Sequence, residues 1–262
     1  MNLTDSFTLK CQCGSPVFLE DICAIFPATL REIVEIGYDT FWQYIQVLTA
    51  QKPVMENKED NELNQLLDSL TDFQYFLMMA NLDAEINQKA KEAFRFFTHE
   101  NVIFSLEPAQ IIIGPLEEKH LLLEENFYDF RRILKKMYFI DTDVEEVIIY
   151  EDDDPRVKAL KKQMLKNRER VAKAKAKQRA NEGGGDIKFS DLVGSVAVGN
   201  CGGLHIGNIW DITYYAFHDQ LKRMGWRDQF NINNRAALAG AKLKKSQLKH
   251  WIKSIASDDK KQ

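Results

Sequence analysis

The sequence predicts an α+β fold: a mostly helical N-terminal domain with small β-hairpins over 1–150, an acidic-then-basic hinge and linker helix over 151–186, and a small helical C-terminal module over 187–262. Three observations lead there. Apolar residues recur at three- and four-residue steps through much of the first 140 positions, as they do in helices with one buried face. Short Val-, Ile- and Leu-rich runs flank Gly and Pro residues, the pattern of strands joined by turns. Charge is segregated along the chain, with acidic and basic blocks adjoining one another near its middle, and such blocks are solvated connections more often than core.

Phe7 to Cys11 and Val17 to Leu19 lie either side of Gly14-Ser15-Pro16, which predicts an opening hairpin. Pro27 suits a first helical turn, where its missing N–H costs nothing, and Leu30, Ile33 and Val34 then share a face. Gly37 bends or ends that helix, and Phe41, Tyr44, Ile45 and Leu48 carry helical spacing on towards Pro53. Leu63, Leu66, Leu67 and Leu70 repeat at i, i+3, i+4, i+7, and Phe73, Phe76 and Leu77 extend the apolar content, so this region is core. Ala84 to Phe97 reads as a helix. Ile111 to Ile113 and Leu121 to Leu123 flank a turn built on Gly114-Pro115 and predict a second hairpin. Asn126 is the expected cap of the next helix. Phe127, Phe130, Leu134 and Met137 would form its buried face, and Arg131, Arg132, Lys135 and Lys136 its polar one.

From Asp141 to Asp154 there are eight acids and no base, and from Arg156 to Arg179 eleven Lys or Arg against a single acid, Glu169. The basic stretch is rich in strong helix formers yet has little to bury, so an isolated helix there is marginal. Arg156, Lys158, Lys161, Lys162, Lys166, Arg168 and Arg170 are its candidate electrostatic residues; they can pair with the acidic block or with a partner. Gly183 to Gly185 form a flexible joint. Beyond it, Trp210, Tyr214, Phe217, Leu221 and Met224 make an apolar stripe, with Asn208 as expected cap and Gly225 as expected stop. Ser246 would cap a last helix carrying Leu248, Trp251, Ile252 and Ile255. Trp210, Tyr214, Phe217 and Trp251 are the candidate partner-binding residues.

Composition narrows the function classes. At 262 residues, 45% hydrophobic and 28% charged, the chain is too apolar for disorder. No apolar run approaches the roughly 18 residues of a membrane span, and Met1 to Phe7 lacks signal-peptide character, so a cytoplasm is the expected location. Cys11, Cys13, Cys23 and Cys201 are too few and irregular for a disulfide framework, and Cys11-x-Cys13 with Cys23 departs from structural zinc spacing. Ordinary reduced thiols are the simpler reading, with no metal and no cofactor. Gly199 to Gly207 lacks the Gly-Lys-Ser/Thr ending of a phosphate loop, His99-Glu100 lacks a second histidine, and Gly194-Ser195 is no nucleophile elbow. The expectation is a non-enzymatic protein. The basic segment 156–179 could contact phosphates, but no aromatic residue between Arg156 and Arg179 offers a base a stacking face, which disfavours nucleic acid.

The order of features carries a resemblance. Pro27-x-x-x-x-Glu32-Ile33-x-Glu35-Ile36-Gly37 leading into Tyr44, the strand pair before the Phe130 to Tyr138 helix, the acidic-then-basic hinge, Trp210-x-x-x-Tyr214 and Leu238-Ala239-Gly240-Ala241-Lys242 together resemble proteins encoded in the tail-gene region of tailed bacteriophages and prophages of Gram-positive bacteria. The likeness spans nearly the whole chain. Such proteins are often described as tail assembly chaperones, or simply as tail-region proteins of unknown role, and the resemblance implies a binding protein that covers helical stretches of the tape measure protein during tail morphogenesis. Seven Met and sixteen Phe could line grooves that accept varied helices, although core is the ordinary role of any one of them. Two alternatives stand beside it: a structural tail or baseplate component retained in the virion, and a nucleic-acid-binding regulator using 156–179. The expected partners are phage tail proteins, without a membrane, and self-association is left open.

Overall fold

The computed structural model describes residues 5–52, 69–115, 119–140, 187–199 and 203–243, together with positions 154, 156, 163, 170, 250 and 252. The bulk of the acidic-then-basic hinge, the Leu63 to Leu67 repeat and the helix expected after Ser246, with Trp251, lie outside the described residues. Those described form eight α-helices, a single 3₁₀ turn and two small antiparallel sheets, an α+β fold that is mostly helical with small hairpins.

Helix α1 spans Asp5–Cys13, where the sequence suggested a strand. The reason lies in the spacing of its buried residues. Phe7 and Cys11 are buried while Leu9 is 60% exposed, so the apolar pair sits at i, i+4 on one helical face rather than alternating across a strand. Gly14, at φ +78, is the stop of this helix. The Ser15 N–H returns to the Lys10 carbonyl at 3.0 Å, a six-to-one closure that needs a left-handed residue just before it. The hairpin follows one step later, with β1 (Val17–Leu19) antiparallel to β2 (Cys23–Ile25).

Helix α2 (Leu30–Ile36) starts at Thr29, not Pro27. Thr29 and Glu32 form a reciprocal capping box, each side chain bonding the other's backbone N–H. Gly37, at φ +90, separates α2 from α3 (Tyr38–Thr49), whose Phe41, Tyr44, Ile45 and Leu48 are buried. A second capping box, Thr71 with Gln74, opens α4 (Asp72–Leu82). The Asp83 carboxylate then accepts from the Glu85 and Ile86 N–H groups to open α5 (Ala84–Thr98).

The larger sheet has the order β3-β4-β5, with β3 at Val102–Ser105, β4 at Gln110–Ile113 and β5 at His120–Leu122. The β4–β5 hairpin is the expected one, and β3 is an addition to it. Phe104 of β3 packs against Phe76 of α4 and Phe94 of α5, with ring centroids 5.6 and 6.1 Å apart. Helix α6 (Glu124–Met137) follows. It begins after Leu123 with Glu124 and Glu125 in its first turn, where negative charge favours the helix dipole. Asn126 is therefore inside the helix, bonding Glu20 at 3.4 Å, and is not its cap.

Arg131 is the largest departure on α6. Expected on the polar face, it is 2% exposed, because position 131 falls one turn from both Phe127 and Leu134 and so shares their stripe. Its guanidinium donates to Asp72 at 3.2 Å and to the Thr49 and Ala50 carbonyls at 2.7 and 2.9 Å. It thereby ties α6 to the start of α4 and the end of α3. Arg132 stays outside, paired with Asp129 at 2.7 Å.

The chain divides into two compact units, Met1–Ile140 with Gly207–Lys222, and Asp141–Ile206 with Arg223–Gln262. Residues 207–222, expected within the C-terminal module, thus belong with the N-terminal domain. In the second unit, α7 (Phe189–Gly199) buries Val193 and Val196. Its final carbonyl, at Gly199, accepts from Arg227 at 2.9 Å, a cation at the negative end of the helix. A side chain at Gly199 would meet the Met224 sulfur at 2.6 Å, so the flexible Met224 side chain would have to shift to admit one. Helix α8 (Tyr214–Leu238) continues through Gly225, which was the expected stop; an interior glycine weakens a helix by only about 1 kcal/mol and does not end it.

Candidate interaction surfaces

Two features of the first unit have the make-up of binding surfaces: a seat that receives an amphipathic helix, and an open apolar ladder on the sheet.

The seat is occupied by Gly207–Lys222. Thr213 and Thr29 face one another in an antiparallel bridge, held by Leu30 N–H to the Ile212 carbonyl at 3.0 Å and Tyr214 N–H to the Ala28 carbonyl at 2.8 Å. The Thr213 hydroxyl donates to the Cys11 carbonyl at 2.7 Å and accepts from Ala216 N–H at 3.0 Å. Thr213, and not Asn208, thus caps the first turn of α8 in the manner of an N-cap residue. Arg31 reaches Asp211 at 2.6 Å, and Gln12 donates to the buried Asp219 carboxylate at 3.0 Å.

Rings line the rest. Tyr214 lies 5.7 Å from Phe41, 6.1 Å from Trp42 and 5.8 Å from Tyr138. Tyr215 stacks on Phe139 at 4.8 Å and meets Phe7 edge-on. Such offset and edge contacts add to area burial. The Tyr138 hydroxyl accepts from Ala28 N–H at 3.0 Å, and burial pushes that phenol far above its ordinary range.

Of the candidate partner-binding residues, Trp210 is half-buried in the 3₁₀ turn Ile209–Asp211. Tyr214 and Phe217 are 3% and 0% exposed. Both therefore serve the interior of the first unit, and neither presents its side chain to an outside partner in this arrangement. Among the candidate electrostatic residues, Arg156 and Arg170 are exposed; Lys158, Lys161, Lys162, Lys166 and Arg168 fall outside the described residues.

His218 sits within this seat beside Phe139, Tyr214 and Phe217, and its buried Nε2 has no hydrogen-bond partner. Burial, and secondarily the Lys222 ammonium, lower its pKa from 6.5 to about 4. A folded-state value below the unfolded one means that the neutral imidazole stabilises the fold. That contribution is complete above pH 6.5 and is lost as pH falls towards 4, on the order of 3 kcal/mol. Urea midpoints measured across this window should fall in the parent chain and flatten in His218→Leu; an equal slope in both would assign the acid sensitivity to other groups.

The thiols divide by environment. Burial raises Cys11 and Cys23 to about 12, whereas hydrogen bonding with Ser15 lowers exposed Cys13. Among the described residues no group of three His, Cys, Asp or Glu side chains is placed to hold a metal ion, and no helix is long and apolar enough to cross a membrane.

The second surface is the outer face of the β3-β4-β5 sheet. Register places Ile103 opposite Ile112, and Ile112 opposite Leu121. Val102, Phe104, Ile111, Ile113 and Leu122 point into the core, so strand alternation sends that ladder outward. Ile103 and Leu121 are 53% and 46% exposed, where a half-solvated antiparallel sheet ordinarily carries polar side chains. Leu106 and Leu123, at the strand ends, are exposed as well. The signal lay in the sequence: Val102-Ile103-Phe104 is apolar at successive positions, and a short strand apolar on both faces has two faces to cover.

Residues 175–256 match the model of a family described as YomV second domain. The family is phage-associated and fits a phage-related protein. The matched stretch covers less than a third of the chain and includes both α7 and the whole of α8. No curated protein and no solved structure matches the chain.

Proposed function

We propose that the protein is a non-enzymatic bacteriophage tail assembly chaperone that holds amphipathic helical segments of the tape measure protein before the tail tube closes around them. The observation that carries this reading is the outward ladder Ile103–Ile112–Leu121. It offers a strip of branched aliphatic side chains on a rigid sheet, against which the apolar stripe of a helix can lie. The phage-associated match supplies the setting. Binding through such a strip depends on shape and apolar area rather than on one sequence, which suits a partner presenting many different helical stretches.

The experiment is co-expression of the full chain with the tape measure protein of the same phage, followed by affinity retention. Ile103→Lys, at the exposed end of the ladder, should reduce retention at least about tenfold, the effect of roughly 1.4 kcal/mol, while thermal stability stays within about 0.5 kcal/mol of the parent. Unchanged retention would remove the ladder from the interface. Mass spectrometry of purified virions separates a chaperone, whose peptides should be absent, from a tail or baseplate component, whose peptides should be abundant.

A further inference from the structure

Ile103, Ile112 and Leu121 line up across the three strands, at the roughly 4.8 Å spacing of neighbouring strands. The strip therefore spans about 10 Å, close to two turns of a helix. Along the strands it stops at once. The next outward row on one side is the pair Ser105 and Gln110. On the other side Asn101 meets Gly114, whose N–H donates to the Asn101 carbonyl at 3.1 Å. An apolar helix stripe thus fits the strip only when it runs across the strands.

The two borders of the strip differ in charge. β3 and β5 run the same way, so both end at one edge of the sheet. There the turn after β3 carries Glu107, and α6 opens after β5 with Glu124 and Glu125. Asn126 draws the β1–β2 turn, with Glu20 and Asp21, towards the same edge through its 3.4 Å bond to Glu20. Glu20, Asp21, Glu107 and Glu125 are exposed, and neither Glu107 nor Glu125 makes an ion pair among the described residues. No Lys or Arg occurs at 11–30, 103–114 or 120–130. The cations that follow or precede these stretches point elsewhere: Lys10 lies over the Phe18 ring, and Arg131 is buried against Asp72. Lys119 and His120 stand at the opposite edge.

We propose that the ladder selects a helix with a basic flank. Its apolar residues at i, i+4 and i+7 cover Ile103, Ile112 and Leu121, and its Lys or Arg side chains on one side reach Glu107, Glu124 and Glu125. Charge complementarity identifies this occupant: opposite charges steer its approach and fix its register, and a helix with an acidic flank is rejected by the same carboxylates. The aliphatic stems of the basic side chains also cover Leu106 and Leu123, which are 45% and 48% exposed at that edge. Exposed ion pairs are weak singly, so selection comes from several acting together and is screened by salt. This inference takes from the chaperone reading only that a helix occupies the ladder.

Two synthetic helical peptides of about 18 residues, or five turns, test it. They share one Leu stripe and differ only in carrying Lys or Glu along one flank, and each is titrated against the full chain by fluorescence anisotropy. The Lys peptide should bind at least about tenfold more tightly in about 0.05 M salt, and the ratio should shrink in about 0.5 M salt. Glu107→Gln/Glu125→Gln should bring the ratio to about threefold or less. Ile103→Ala should weaken both peptides and leave their ratio unchanged. Equal affinities would overturn the proposal. So would a preference that survives Glu107→Gln/Glu125→Gln, which would assign it to other acids such as those of 141–154, and so would binding indifferent to Ile103→Ala. Retention of the tape measure protein without the peptide preference would keep the chaperone reading and overturn this one; the preference without retention would do the reverse.

Discussion

Arg131→Met should destabilise the protein by about 3–5 kcal/mol, the range for removing one member of a buried charged network. That is a large part of the 5–15 kcal/mol that holds a typical domain together. The guanidinium is 3% exposed and donates to Asp72, Thr49 and Ala50. Arg131 lies over the Phe127 ring, 5.6 Å from its centroid, and methionine fills much of the same volume, so the loss is electrostatic and hydrogen-bonding rather than steric. Most of it should come from the end of α3. The Thr49 and Ala50 carbonyls stand at the negative end of that helix, and an unpaired buried acceptor costs about 1–3 kcal/mol. Asp72 is better placed to survive. Its carboxylate also accepts from Lys52 N–H at 3.1 Å and lies in the first turn of α4, where the dipole favours it. Asp72→Asn should accordingly cost less than half as much as Arg131→Met. Arg131→Lys should fall between them, because one ammonium cannot span the three acceptors that the planar fork reaches. Urea titration followed by circular dichroism measures all three, and equal midpoints for Asp72→Asn and Arg131→Met would contradict this division.

Phe41→Ala should cost a comparable 3–5 kcal/mol, for a different reason. Phe41 is fully buried, and five rings surround it: Trp42, Phe96, Phe97, Tyr138 and Tyr214, with centroids between 5.2 and 6.2 Å away. These belong to α3, to α5, to the chain after α6 and to the seated segment. Stiff rings from separate elements cannot collapse into the space a phenyl leaves, so the cavity persists. Leucine refills part of it and should recover more than half of the loss. Phe18, 57% exposed, gives the contrast: Phe18→Ala should stay within about 0.5 kcal/mol. The melting temperature of Phe41→Ala is expected to fall on the order of 10 °C, and a drop of only a few degrees would show that the cluster relaxes.

Helical periodicity made most of the first unit legible. Phe41, Tyr44, Ile45 and Leu48 marked the buried face of α3, and Phe127, Phe130, Leu134 and Met137 that of α6. Errors arose where one residue type serves two purposes. Gly14 stops a helix instead of turning a hairpin, because three residues either side of it could not reveal whether Phe7 and Cys11 were related by four positions or by two alternations. The charge of Arg131 predicts an outward side chain while its spacing predicts an inward one; its acceptors, from 49, 50 and 72, are distant in sequence and invisible in a local pattern. The same limit explains the surfaces. Tyr214 and Phe217 read as part of an apolar stripe, but the face they cover is assembled from α1, α2, α3 and Tyr138. The ladder depended on a strand, β3, only four residues long.

The pairing of Thr29 with Thr213 also orders events in time. Chains leave the ribosome from the N-terminus at about 5–20 residues per second. After Ile140 has been made, roughly 4 to 16 seconds of synthesis pass before Lys222 follows. Over that interval α1, α2, α3 and the Tyr138 region exist without the segment that finishes their core. The first unit therefore completes its core late in synthesis, when Gly207–Lys222 reaches elements that were made before Ile140.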